Sequence, residues 1–124
     1  MIRLIGRRLI IPRGDTGSFT IPIQGTVQVG DIAFLSIYDP LTKTTICELR
    51  LDIDAQIITN EALTFVFTHQ DTVNIEPSDR YEWDIKIYYG PQYENGELIG
   101  ATEINSYYAA FGKSMPKCVI KQVA

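Results

Sequence analysis

Apolar and polar residues alternate with a period of two along most of this chain. Phe19, Ile21 and Ile23 alternate with Ser18, Thr20 and Pro22, the pattern of a strand with one buried face. Pro22 has no N–H to give a ladder, so the strand belongs at an edge. Gly30-Asp31 opens Ile32 to Tyr38, nearly all apolar and predicted to be buried on both faces; Asp39-Pro40 closes it with a turn. Cys47, Leu49 and Leu51 then alternate with Ile46, Glu48 and Arg50, and Leu63, Phe65 and Phe67 with Thr64, Val66 and Thr68. In the longest run, Tyr81, Trp83, Ile85, Ile87 and Tyr89 alternate with Glu82, Asp84, Lys86 and Tyr88.

The turns agree with that pattern. Asn95-Gly96, between Glu94 and Glu97, supplies the two positive φ angles of a type I′ hairpin, and Leu98 to Thr102 is the returning strand. Cys118, Val119 and Ile120 form a last strand, and only Glu103 to Phe111 is a candidate helix, with Tyr107-Tyr108 against it. The segment from Met1 to Pro12 reads as an N-terminal strand or arm. Short β-rich runs at intervals of about ten residues, punctuated by Gly, Pro, Asp and Asn, indicate an all-β, antiparallel, immunoglobulin-like sandwich of about 7–9 strands. A small β-barrel is the second choice.

Length confines this to one domain over residues 1–124, with 45% hydrophobic and 21% charged residues. No apolar run approaches the roughly 18 residues of a bilayer span, so no membrane insertion is expected. The apolar start is broken by Arg7 and Arg8, which leaves no signal-peptide core, and no small-residue cleavage site follows.

Charge is divided. Residues 1–13 carry Arg3, Arg7, Arg8 and Arg13 and no acid, and residues 113–124 carry Lys113, Lys117 and Lys121 and no acid. The remaining 4 of 11 basic residues face all 15 acidic ones, so a net −4 conceals +7 at the ends and −11 between them. Two outcomes are open: the ends pair with the acidic centre of their own fold, or they meet a partner, where complementarity fixes register. Nucleic acid is not expected, because the balance is acidic and no basic run is interleaved with aromatics.

The chemistry-bearing residues are sparse. One His and two Cys are a poor stock for a metal site or a nucleophile, so neither an enzyme nor a cofactor is expected. Cys47 and Cys118 lack the Trp and Tyr that frame an immunoglobulin disulfide, and they read as buried, reduced thiols, with one disulfide as the alternative. His69, in Thr68-His69-Gln70-Asp71, reads as a strand-end polar residue. Asp52-Ile53-Asp54 begins like a calcium loop, but Ile57 stands where Gly is needed and Leu63 where the bidentate Glu should be. Arg13-Gly14-Asp15 reads as a tight turn, with Gly14 or Gly17 at positive φ and Asp15 or Thr16 bonding the backbone, and not as an adhesive tripeptide. Seven Tyr remain. Those at Tyr88, Tyr89, Tyr93, Tyr107 and Tyr108 cluster around the hairpin, and Tyr88 faces away from the Trp83 row. Tyr is enriched at interfaces, which makes Tyr88, Tyr93 and Tyr108, together with Arg3, Arg7 and Arg8, the expected protein-contact residues.

Two stretches resemble a known family. One is Ile11-Pro12-Arg13-Gly14-Asp15-Thr16-Gly17-Ser18-Phe19-Thr20-Ile21-Pro22-Ile23, followed by Gly30-Asp31 and Ile32 to Tyr38. The other is Arg80-Tyr81-Glu82-Trp83-Asp84-Ile85, preceded by Phe67-Thr68 and Asp71-Thr72. Together they resemble the small β-sandwich domain of tailed-phage structural proteins, whose best-known relative is the N-terminal domain of the baseplate upper protein in phages of Gram-positive bacteria. There a Gly-Asp-Thr turn leads an edge strand, and a Tyr-x-aromatic-Asp-Ile strand lies in the core. The resemblance covers roughly residues 11–90. It departs at Ser78-Asp79-Arg80, where the family usually has a Gly, and the family's linker and receptor-facing module have no counterpart here. It implies a virion component, made in the host bacterial cytoplasm and docking through its sandwich on tail, baseplate or head subunits, with self-association. The second expectation is a module that binds carbohydrate or the host surface through exposed aromatics.

Overall fold

A computed structural model describes residues 1–23, 26–54, 62–111 and 114–122. In chain order the elements are β1 (Arg3–Ile5), β2 (Arg8–Pro12), β3 (Gly17–Pro22), β4 (Ile32–Asp39), β5 (Thr44–Asp52), β6 (Ala62–Phe67) and α1 (His69–Thr72). They continue with β7 (Ser78–Glu94), β8 (Glu97–Ser106), α2 (Tyr107–Phe111) and β9 (Lys117–Lys121). One sheet runs β1-β2-β9-β7-β4-β5, with β8 added to β7; β3 and β6 form a second. The protein is all-β and sandwich-like.

Alternation sets the two layers. Phe19 and Ile21 of β3 and Leu63, Phe65 and Phe67 of β6 are buried, while Thr20, Thr64 and Val66 between them are exposed. Opposite them, Ala33, Leu35, Ile37, Tyr81, Trp83 and Ile85 turn inward from β4 and β7. Trp83 is the centre: Phe19 meets its ring edge-on at 6.2 Å, Tyr107 stacks on it at 5.1 Å, and its indole N–H donates to the Arg7 carbonyl at 3.0 Å. The Tyr81 hydroxyl donates to the Glu76 carbonyl, so the start of β7 is pinned as in a tyrosine corner.

Asn95 (φ 52°) and Gly96 (φ 79°) make the expected type I′ turn. The returning strand is longer than the alternation marked, reaching Ser106, so that within Glu103 to Phe111 only Tyr107–Phe111 is helical, and α1 is a second short helix that the pattern did not mark. Gly14 takes the positive φ of the Arg13-Gly14-Asp15 turn (76°), whereas Gly17 does not.

Two further expectations are corrected. The large sheet is mixed rather than antiparallel throughout, because β2 lies parallel to β9, with Leu9 opposite Cys118 and Ile11 opposite Ile120. Strand β4 is fully buried on one face only: Phe34, Ser36 and Tyr38 are half-exposed on the other. Of the two forms expected for residues 1–12, a strand or an arm, the structure has strands. β1 and β2 form a hairpin at the end of the sheet, and Leu9 and Ile11 are fully buried in the core.

Candidate functional site

The outer face of the large sheet carries a groove of about 460 Å³ lined by Phe34, Ser36, Tyr38, Thr45, Glu48, Asp84, Lys86, Tyr88, Leu98, Tyr108 and Met115. Strand register builds it. Ser36 of β4 lies opposite Glu48 of β5 on one side and Asp84 of β7 on the other; in the next row Phe34 lies between Arg50 and Lys86. Each row therefore crosses three strands and points away from the core.

Aromatic contacts fix the floor. Tyr88 meets Phe34 edge-on at 5.4 Å, and the Arg50 guanidinium sits 5.9 Å from the Phe34 ring centre. Arg50 also pairs with Asp52 at 3.0 Å; Asp52 first, with Tyr93 contributing, raises its pKa. Tyr93 on the hairpin thus reaches back towards β5, and the β7–β8 hairpin forms a wall of the groove.

Asp84 is 3% exposed although it belongs to the outward row. Its two carboxylate oxygens accept the Ser106 hydroxyl at 2.6 Å and the Tyr108 N–H at 3.1 Å, and a buried carboxylate with such donors is compensated for desolvation. This fixes the passage from β8 into α2. Tyr107 turns inward onto Trp83, while Tyr108 lines the groove.

Of the expected contact residues, Tyr88 and Tyr108 share the groove and Tyr93 approaches it through Arg50. Arg3 and Arg8 are exposed on the β1–β2 hairpin, outside the groove. Arg7 is half-buried: its Nη2 donates to the Ser114 carbonyl at 2.9 Å, and its Nε is buried with no partner among the described residues. Phe34, Tyr38, Asp84 and Lys86 were not singled out from the sequence, yet the alternation that placed Tyr88 opposite the Trp83 row also places Asp84 and Lys86 there. Leu98 and Met115 gave no such signal.

The other candidates resolve into structure. His69 Nδ1 donates to the Gly14 carbonyl at 2.8 Å, Thr72 Oγ1 accepts the Gly14 N–H at 2.8 Å, and Arg13 Nε donates to the Val73 carbonyl at 2.7 Å. Asp71 accepts the Thr68 N–H at 2.6 Å and so starts α1. Arg13-Gly14-Asp15 is thereby clamped to α1, and Asp15 pairs with the Met1 ammonium at 3.0 Å, which holds its carboxyl below the usual range. Cys47 and Cys118 are free and buried, their thiols pushed up to about 12 chiefly by desolvation. Among the described residues no group of three or more His, Cys, Asp or Glu could hold a metal, and no helix is long and apolar enough to cross a membrane. Ile57 and Lys113 lie outside the described residues.

Compared with known proteins, the chain matches no family model, no curated protein and no solved structure.

Proposed function

We propose that this chain is a non-enzymatic structural protein of a tailed-phage virion, docking through its sandwich on neighbouring tail, baseplate or head subunits. The outer-face groove carries the reading. Phe34, Tyr38 and Tyr88 on the sheet and Tyr108 on α2 are presented beside Glu48 and Lys86, the mixture of amphipathic rings and charge that protein interfaces favour. The virion context rests on the resemblance over residues 11–90. Fractionation of purified particles with mass spectrometry tests it: recovery of the chain from virions is expected, and its absence overturns the reading. Tyr88→Ala combined with Tyr108→Ala is expected to stay folded and to lose incorporation.

A second reading is a carbohydrate-binding module. It is favoured by the same groove, where tyrosine faces lie next to Ser36, Thr45 and Glu48, because sugars stack on aromatic rings and hydrogen-bond at their edges. Glycan-array binding by the isolated protein, abolished by Tyr88→Ala, would favour it over assembly.

A further inference from the structure

We infer that the protein associates with a second copy of itself by docking the basic β1–β2 hairpin of one copy on the acidic β7–β8 hairpin of the next. This rests on the assembly reading above and names a partner and a surface for it.

Three observations converge. The first is unspent charge. Arg7 and Arg13 donate to backbone carbonyls and Lys117 pairs with Glu82 at 3.8 Å, whereas Arg3 and Arg8 are exposed with no ion pair among the described residues. From residue 87 to 112 the only charged side chains are Glu94, Glu97 and Glu103, all exposed and all without an ion pair among the described residues. The fold leaves a positive hairpin and a negative one, each unneutralised.

The second is apolar exposure. Among the described residues eight large apolar side chains are exposed, and five lie on these two hairpins: Met1 and Ile5 on the first, Tyr93, Ile99 and Ile104 on the second. The third is open backbone. β1 bonds only β2, and β8 bonds only β7, among the described residues. Charge on an open strand edge ordinarily repels further strands. Here the two edges carry opposite signs, so like edges repel and unlike edges attract, which selects one register over others.

Sedimentation velocity of the full chain over a concentration series at low salt reads the association directly. Self-association is expected, weakened by about tenfold or more when salt shortens the screening length. Arg3→Glu/Arg8→Glu and Glu97→Lys/Glu103→Lys should each sediment as folded monomers, and mixing them in equal amounts should restore association. A parent that is monomeric throughout, a variant that associates like the parent, or a mixture that stays monomeric overturns the hairpin pairing. None of these touches the virion reading, which particle fractionation decides. If a reversal impairs folding, Arg3→Gln/Arg8→Gln replaces it, with association expected to fall about tenfold; undiminished association overturns the pairing.

Discussion

The backbone N–H of Tyr108 donates to the buried carboxylate of Asp84 at 3.1 Å across 24 residues of chain. The bond lies where the chain turns Tyr107 onto Trp83 and Tyr108 to the groove. Asp84→Ala should therefore act at both places. It leaves the Ser106 hydroxyl and the Tyr108 N–H without their acceptor, at a cost of about 1–3 kcal/mol. A lower melting temperature is expected, with loss of the near-ultraviolet dichroism of the Trp83–Tyr107 stack. An unchanged aromatic spectrum would show that α2 is held by packing alone.

Asp39 and Arg80 form the most enclosed ion pair described. Arg80 Nε and Nη2 reach the two Asp39 oxygens, each at 2.9 Å, and the Asp39 side chain is 5% exposed. The Arg80 hydrogen bonds, with the Leu41 N–H, hold Asp39 down to about 2 from an ordinary value of 3.8. A depressed folded-state pKa means stability that is present above the unfolded value and lost as pH falls through the folded one. The contribution should be complete above about pH 4 and fade between there and about pH 2. Urea midpoints of the parent and of Asp39→Asn should differ at neutral pH and converge near pH 2.

What the sequence made legible follows from what periodicity encodes. Alternation states which face a residue takes, so Phe19, Leu63, Trp83 and Ile85 were readable as core and Tyr88 as outward. Asn95-Gly96 states a backbone shape, so the hairpin was readable too. Neither says which strand lies next. The parallel pairing of β2 with β9 joins residues more than a hundred positions apart, and no local pattern marks it. The groove was hidden for the same reason: it needs Phe34, Asp84, Leu98 and Tyr108 brought together by the register of separate strands. Arg7 shows a further limit, since charge alone cannot tell an exposed guanidinium from one turned onto the Ser114 carbonyl.

Gly90 lies in β7 just beyond Tyr88, the last residue of that strand paired with β4. Its φ is +56°, its N–H donates to Asp31 at 3.1 Å, and a Cβ there would lie 2.8 Å from Thr102 Oγ1. Gly90→Ala combines left-handed strain with a clash and should cost about 1–3 kcal/mol. Adding Thr102→Ala removes the clash but not the strain, and also deletes the Thr102 hydroxyl bond to the Tyr89 carbonyl. Partial recovery in the double variant, read by denaturant midpoint, is the expected outcome. Full recovery would assign the whole effect to the clash.

The buried thiols give a reactivity prediction. Only a thiolate attacks a disulfide reagent, and burial raises both Cys47 and Cys118 to about 12. The folded protein at pH 8 should release almost no thiol signal, while denatured protein should release both equivalents. Rapid reaction in the native state would place at least one sulfur at the surface.

Deleting residues 1–12 should unfold the protein rather than yield a trimmed sandwich. The cut removes Leu9 and Ile11, both fully buried, together with the strand that bonds β9 and the carbonyl that accepts the Trp83 indole. Loss of a large buried aliphatic side chain costs about 2–5 kcal/mol, and two such losses consume much of the roughly 5–15 kcal/mol by which a domain is stable. Charge reversal at Arg3 and Arg8 leaves this packing intact, because both side chains are exposed. Far-ultraviolet dichroism of the two variants separates the roles of one hairpin. The deletion should lose its β signal, and the charge reversal should keep it while losing association.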